Sequence, residues 1–425
     1  MFTIPERLML ASYGLTAYII KLFVPFNLMA MYPYPERIGT QLPTLFYIAP
    51  LAVLLLTTTV VLLRKHRFLV FGILFFVATL ALVLQLLPVG GALMAERYTY
   101  IPYIGLFFII GHFYLNVRDN ANAVIKKTAP VLKLLIIAFG IMCAFLTFER
   151  NKIWKNGEVL FTDVIAKNPR LPFAYNNRGY LYYRFIKNYD KAIADFNKCI
   201  EIDSTFDKCY GNKAVLLYNT DRREEALLNF DKCLKLNPKN TDALIGRANT
   251  LSHFKEFEKS LPDYNYYIKL KPEDEKAYLW RAIAFYNVKK LDSAMLDIKV
   301  SLDFNPQNAE AIFWRGLVKY ENKEYAGAIE DLNTALRLNP EKNEIYTWRG
   351  LAYYNLKDYQ KAIADYSKAI EINPKNAPAF VNRSIAYHES GRNKEAFEDI
   401  NKAGQLGYPL DKNYFMKLYN LVVKK

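Results

Sequence analysis

Trp280, Trp314 and Trp348 stand 34 residues apart, and each is followed six positions later by a tyrosine, Tyr286, Tyr320 and Tyr354. Midway between each pair lies an apolar residue, Ile283, Leu317 or Leu351. On a helix turning about 100° per residue these positions share one face, so together they predict an apolar and aromatic strip. The chemistry of such a strip is recognition: it can seat an extended or helical peptide, or stack sugar rings on its indoles. The competing reading is that these side chains only pack neighbouring helices together. Little else in the chain invites chemistry. His66, His112, His253 and His388 are scattered, and neither a nucleophile–base pair nor a phosphate-cradling glycine loop nor a metal-ligand spacing occurs. No catalytic residue, cofactor or metal is expected.

The elements that must carry the strip are legible from punctuation. Pro238, Pro272, Pro306, Pro340 and Pro374 recur at the same 34-residue interval, each after an Asn or Lys that closes a short apolar helix pattern. Between them Ala226, Ala294, Ala328, Ala362 and Ala396 recur at one helix–helix contact, and Gly316 and Gly350 at another. This pattern resembles the tetratricopeptide repeat family, whose unit is a 34-residue helix pair. The best-matching units run from Ala309 to Pro340 and from Asn343 to Pro374. The resemblance implies seven repeats over residues 172–408, preceded by a linker and half-repeat at 149–171 and closed by a capping helix at 409–425. It also implies a superhelix with a concave face, an architecture that binds a protein or peptide rather than performing catalysis.

Position 7 of each first helix is basic throughout: Arg178, Lys213, Arg247, Arg281, Arg315, Arg349 and Arg383. A charge on a packed helix face must be paired. Position 23, on the second helix, supplies Asp195, Asn229, Asp263, Asp297, Asp331, Asp365 and Asp399. The single unit lacking Arg also lacks Asp. This predicts a ladder of structural ion pairs, against the alternative of a basic track for ligand. Asn176, Asn177, Asn212 and Asn219 make the first two repeats the polar end.

The chain is mixed in character: its mean hydropathy is −0.03 although its second half is a charged repeat array. Residues 1–148 hold 11 Lys/Arg and four acidic residues, so the net charge of +15 divides almost equally between this part and the rest. Neither part is a basic block of the kind that binds nucleic acid. Apolar stretches run over 43–63, 68–87, 101–117 and 131–148, with a fifth at 8–31 that Lys21 and Pro25 interrupt and that reads either as a crossing or as a kinked or re-entrant segment. Each is near the 17–25 residues that cross a bilayer. The fold class is therefore all-α: a helical membrane region of about five segments at 1–148, then a tetratricopeptide solenoid. Arg64, Lys65 and Arg67 in one turn, and Arg118, Lys126 and Lys127 in another, mark the cytoplasmic loops. If all five segments cross, the N-terminus is inside and the repeats emerge outside, at the inner membrane of a bacterium or in an organelle lumen. Membrane lipids are thus expected partners. Cys143, Cys199, Cys209 and Cys233 form no framework and read as unpaired core thiols, with an incidental disulfide as the alternative.

The stretch Ala95-Glu96-Arg97-Tyr98-Thr99-Tyr100-Ile101-Pro102-Tyr103-Ile104-Gly105 resembles a junction of the transmembrane and tetratricopeptide O-mannosyltransferases, of the C-type glycosyltransferase superfamily. Lys21-Leu22-Phe23-Val24-Pro25-Phe26-Asn27-Leu28 and Glu149-Arg150-Asn151 with Trp154 fit the same family. The resemblance implies that Arg97, flanked by Tyr98, Tyr100 and Tyr103, contacts the phosphate of a polyprenyl-phosphate sugar, since a guanidinium offers forked donors to phosphate. The other reading of these residues is an interfacial aromatic belt with a snorkelling arginine. Family enzymes carry an acidic catalytic motif on an outer loop upstream of this region. Here the acids before residue 148 are Glu6, Glu36, Glu96 and Asp119, each beside an arginine. The chain reads as the distal part of such an enzyme, a shortened paralogue or a gene model begun at an internal Met, or as a membrane-anchored scaffold that binds a protein on the extracytoplasmic side.

Overall fold

The computed structural model describes residues 3–23, 32, 34–35, 41–81, 84, 94 and 101–423. The described residues are all-α, with no β-strand among them. Residues 1–212 and 213–425 form two compact units.

In the first unit the apolar stretches fold as α1 (Ile4–Phe23), α2 (Thr44–Leu62), α3 (Arg67–Ala81), α4 (Pro102–Arg118) and, after the short α5 (Ala123–Lys126), α6 (Ala129–Asn151). Among the described residues, α2 and the run 123–155 containing α6 are long and apolar enough to cross a membrane. Their side chains are largely outward: Leu51, Leu54 and Leu55 on α2, and Leu134, Ile141 and Phe145 on α6, are more than half exposed. Leu10, Leu15, Tyr18, Phe46, Phe76 and Leu80 form the core of this part. Gly72 and Gly105 let α3 and α4 touch backbone to backbone, since a methyl on either glycine would collide with the other's carbonyl.

The ring of Tyr13 on α1 lies 4.4 Å from that of Phe46 at the start of α2. Further along, Leu15 to Ile20 line an apolar cleft with Ala52 to Thr59. The two helices therefore run parallel, whereas consecutive crossings joined at one bilayer face must be antiparallel. At the far end of α1 the Phe23 ring stacks 6.0 Å from Phe139, near the middle of α6. This packing fits the re-entrant reading of the first segment better than its reading as a full crossing.

The repeats begin with α7 (Gly157–Lys167), reached through a 3-10 turn at Lys152–Lys155, and continue as α8 (Pro172–Leu181) and α9 (Tyr189–Ile202), then α10 (Asp207–Asn219). The second unit holds α11 (Arg223–Leu236), α12 (Thr241–His253), α13 (Phe257–Leu270), α14 (Glu275–Asn287), α15 (Leu291–Phe304), α16 (Ala309–Glu321) and α17 (Tyr325–Leu338). It ends with α18 (Asn343–Asn355), α19 (Tyr359–Ile372), α20 (Ala377–Glu389), α21 (Asn393–Gln405) and α22 (Lys412–Val422).

The punctuation works as local chemistry requires. Asn237, before Pro238, is held at φ −136° and ψ 90°, which ends α11, because a proline's ring excludes the helical conformation from the residue before it. Two residues beyond Pro238, Asn240 caps α12 by accepting from the Ala243 amide. Within each pair the chain reverses through one left-handed residue: Lys187, Asp221, Lys255, Lys289, Lys323 and Lys357 have φ near +60°, and Gly391 takes this place in the last repeat. Small residues sit at the tightest approach between paired helices. A Cβ on Gly350 would come within 2.7 Å of the Tyr366 ring. At the C-terminus, Leu418 of α22 is fully buried against Ala396 and Ile400 of α21, with Phe397 meeting Phe415 and Tyr419.

Candidate binding face

The position-7 arginines are consumed internally. Arg247 Nε and Nη2 donate to the two carboxylate oxygens of Asp263 at 2.7 Å each. The same forked pair recurs between Arg281 and Asp297, Arg315 and Asp331, Arg349 and Asp365, and Arg383 and Asp399. In the first unit Arg178 and Asp195 repeat it at 2.8 Å. All six aspartates are buried. The remaining donor of each guanidinium mostly reaches back to the preceding second helix: Arg281 Nη1 to Asn265 Oδ1 at 2.8 Å, and Arg349 Nη1 to Asn333 Oδ1 at 2.6 Å. These side chains therefore staple each helix pair and tie it to its predecessor. In the exceptional unit burial pushes the Lys213 ammonium below its usual range, while Asn229 donates instead to the Glu225 carbonyl.

The aromatic residues interlock one repeat with the next. The Tyr286 ring of α14 meets the Trp314 ring of α16 edge-on at 5.2 Å, and Tyr320 of α16 meets Trp348 of α18 at 5.4 Å. Tyr286 donates its hydroxyl to Glu321 Oε1 at 3.1 Å, and Asn355 donates to the Tyr320 hydroxyl at 3.0 Å. Burial, and for Tyr286 the Glu321 carboxylate as well, raises both phenols above their ordinary range. Burial likewise raises Tyr354. Trp280, Trp314, Trp348 and the three tyrosines are all half-buried. Trp314 and Trp348 lean on the core containing Leu317, and Trp280 packs against the cluster of Leu261 and Tyr264.

Leu317, expected on the open strip, is only 3% exposed. It belongs to the buried cluster that runs from Leu279 of α14 to Ile345 of α18. The polar end is also more internal than expected: Asn176 is buried and accepts from Asn212 Nδ2 at 2.8 Å. Arg97, Tyr98 and Tyr100 lie outside the described residues. Tyr103 donates to the Tyr18 carbonyl at 2.8 Å, which joins α4 to α1. Among the described residues no group of His, Cys, Asp and Glu is placed to hold a metal.

Three features escape a reading of the sequence. Cys199 and Cys209, expected as unpaired thiols, are bonded to one another and join α9 to α10, whereas Cys143 and Cys233 take part in no disulfide. A cavity of about 1290 Å³ in the first unit is lined by Tyr13, Tyr32, Phe46, Arg170, Tyr175 and Lys198, among others. Its walls come from segments too far apart in sequence to be read as a motif. Finally, the first repeat contains a π-helical turn at Tyr182–Ile186. Its signal is the interval from Arg178 to Lys213, 35 residues where 34 is the rule.

Paired helices at a 34-residue period, bolted by a repeated side-chain set, define a tetratricopeptide solenoid. Tetratricopeptide-repeat models match residues 174–206, 207–240, 316–357, 344–376 and 366–398, so the chain carries these repeats. No curated protein matches the chain. Among solved structures it is similar to a tetratricopeptide repeat protein from Parabacteroides merdae, at 20% identity and TM-score 0.47, over 59% of this chain and 98% of that one. It is similar too to a thermophilic tetratricopeptide protein of Thermus thermophilus, at 25% identity and TM-score 0.36, over 43% and 99%. A third is YrrB, a tetratricopeptide protein with an unusual peptide-binding site, at 22% identity and TM-score 0.41, over 42% and 92%.

Proposed function

We propose that the chain is a membrane-anchored tetratricopeptide scaffold whose repeats lie on the extracytoplasmic side and bind an extended or helical segment of a partner protein. In this reading residues 1–148 are the membrane region, 149–171 a linker and half-repeat, 172–408 the seven repeats and 409–425 the cap. The observation that carries the binding function is the half-buried ladder of Trp280, Trp314 and Trp348 with Tyr286, Tyr320 and Tyr354. Tryptophan and tyrosine are the residue types most enriched at binding hot spots, and here each indole is braced by a neighbour yet keeps accessible surface for a ligand.

Two further observations support the location. The exposed leucines and phenylalanines of α2 and α6 form surfaces that water would not tolerate at this density, and a bilayer covers such surfaces. The Cys199–Cys209 bond suits an oxidising compartment. With the basic turn at 64–67 on the cytoplasmic side, α2 enters from outside, α3 returns and α4 re-enters. After the basic loop at 118–127, α6 leaves again, which delivers the repeats outside. Because α1 is parallel to α2, its N-terminal end also lies outside, and α1 is a re-entrant helix reaching toward the middle of α6. Arg97, Tyr98 and Tyr100, on which the sugar-transfer alternative rests, lie outside the described residues.

The binding reading is tested by panning a random peptide phage library on the full chain in nanodiscs and measuring the selected peptides against variants. Trp314→Ala is expected to weaken them by about 2 kcal/mol or more, with Trp314→Phe intermediate and amide-exchange protection in α16 and α17 retained. Peptides that bind Trp314→Ala as tightly as the parent would overturn the assignment of this face.

A further inference from the structure

The first repeat is one residue longer than the others, and the structure shows where the extra residue went. The left-handed reversal residues keep perfect 34-residue register from Lys187 onward, so the insertion lies between Arg178 and Lys187 and is absorbed as the π-helical turn Tyr182–Ile186. Such turns are rare in proteins and recur at functional sites. Its first two residues, Tyr182 and Tyr183, are buried, whereas its last two turn outward: Phe185 is 76% and Ile186 46% exposed, beside Tyr180 and Tyr189, which are also exposed. Two residues before the reversal, the other repeats carry Asn219, His253, Asn287, Glu321, Asn355 and Glu389. A phenylalanine stands where every other unit has a polar side chain.

The placement of the turn indicates its occupant. Tyr182 donates its hydroxyl to Glu158 at 2.9 Å, and a Cβ on Gly157 would meet the Leu181 side chain at 2.5 Å. The turn is thus held against the first residues of α7, a short 3-10 turn away from the end of α6. Arg150, in the last turn of α6, is paired to Asp163 of α7 at 2.9 Å, which fixes this junction. Phe148 and Trp154 are likewise exposed on either side of it. Both segments carry basic side chains: Arg184 and Lys187 within or beside the turn, and Lys152 and Lys155 in the 3-10 turn before α7.

We propose that the π-helical turn of the first repeat is an interfacial anchor, with Phe185 and Ile186 inserted at the boundary between headgroups and acyl chains and the surrounding Arg and Lys set against anionic lipid. This rests on the reading of α6 as a membrane span. Apolar and aromatic tips flanked by basic side chains are what bind a lipid–water interface, and the anchor is continuous with the point at which α6 leaves the bilayer. It would hold the first repeat down on the membrane.

The test uses the full chain with Cys143 and Cys233 replaced by Ala, in nanodiscs of phosphatidylcholine and phosphatidylglycerol. An environment-sensitive fluorophore is placed in turn at Phe185→Cys, Leu135→Cys within α6, and Leu296→Cys on the exposed face of α15. Lipid carrying a shallow spin label is expected to quench the Phe185 probe about twofold or more, while aqueous iodide quenches it far less than the Leu296 probe. Arg184→Glu with Lys187→Glu is expected to shift the Phe185 probe toward iodide. A Phe185 probe that iodide reaches freely and spin-labelled lipid does not, while the Leu135 probe is quenched by deep-labelled lipid, refutes the anchor and leaves the membrane span standing. That outcome would assign the tip to a protein partner. A Leu135 probe that lipid does not reach refutes the span itself, and the anchor with it.

Discussion

Arg349→Leu isolates what one rung of the ladder contributes. Asp365 accepts from Arg349 Nε at 2.8 Å and from Nη2 at 2.6 Å, and its side chain is 8% exposed, so removal of the arginine strands a carboxylate that water cannot reach. Breaking a buried pair from one side costs about 3–5 kcal/mol. Asp365→Leu should cost less, because the guanidinium is 19% exposed and keeps its bond to Asn333 at 2.6 Å. The double variant, with a leucine at each site, removes both charges and is expected within about 1 kcal/mol of the parent, since apolar replacement of a buried pair is often neutral. Burial already pushes the Asp365 carboxyl up, against the pull of Arg349. Without the arginine it rises further, so the folded variant binds more protons than the unfolded one and its deficit shrinks as pH falls from 7 toward the unfolded value near 4. Native-state amide exchange in α18 and α19 of the full chain is the appropriate readout, because repeat stability is local and summed over neighbours. A loss below about 1 kcal/mol for Arg349→Leu, or a double variant whose loss equals the sum of the singles, would refute the structural role of the rung.

Lys323→Gly is expected to stabilise its repeat by about 0.5–1 kcal/mol, read as slower exchange in α16 and α17, because Lys323 is held at φ +65° where only glycine escapes the side-chain penalty. Reduction of the Cys199–Cys209 bond should cost about 2–3 kcal/mol locally in α9 and α10, and non-reducing peptide mapping of protein from its native compartment should recover the two cysteines as one linked species. Epitope tags before Met1 and after Lys425 should both be reached by an impermeant protease applied to the extracytoplasmic face; protection of the N-terminal tag alone would restore α1 as a crossing helix.

The repeat array is legible because its determinants are local and periodic: an asparagine before a proline, a capping Asn or Asp, and a small residue every 34 positions. The ladder can be read because a single unit departs at both ends at once, Lys213 with Asn229. The direction of α1 cannot, since hydropathy records how apolar a segment is and says nothing of which neighbour it packs on, and the contact of Tyr13 with Phe46 is tertiary. Cys199 and Cys209 escape for a related reason. Each belongs to the pattern of its own helix, and their meeting depends on how the second helix of one repeat docks on the first helix of the next. The helical angle of Leu317 points to the open face, but that angle describes one helix in isolation and not the neighbour that covers it.

The internal use of position 7 narrows what the second unit can recognise. An acidic peptide or a terminal carboxylate would need a free cation on the face of the first helices, and the arginines there already give both forks to buried aspartates. Lys289, at the edge of the strip, is itself paired to Glu321 at 3.1 Å. The partly accessible indole and phenol surfaces along α14, α16 and α18 stand one residue pair per repeat and in the same register. Position 6 runs Gly246, Trp280, Trp314, Trp348, Asn382 through the unit, so the apolar surface is confined to three consecutive repeats, with glycine at one end and asparagine at the other. A ligand matched to this face presents apolar side chains at a regular interval over a short stretch and carries its charges, where it has any, at the ends. Insertion of an acidic residue at the central position of a selected peptide should therefore abolish binding more completely than the same residue at either end. Equal tolerance at all three positions would mean that the tryptophans brace the solenoid and do not read the ligand.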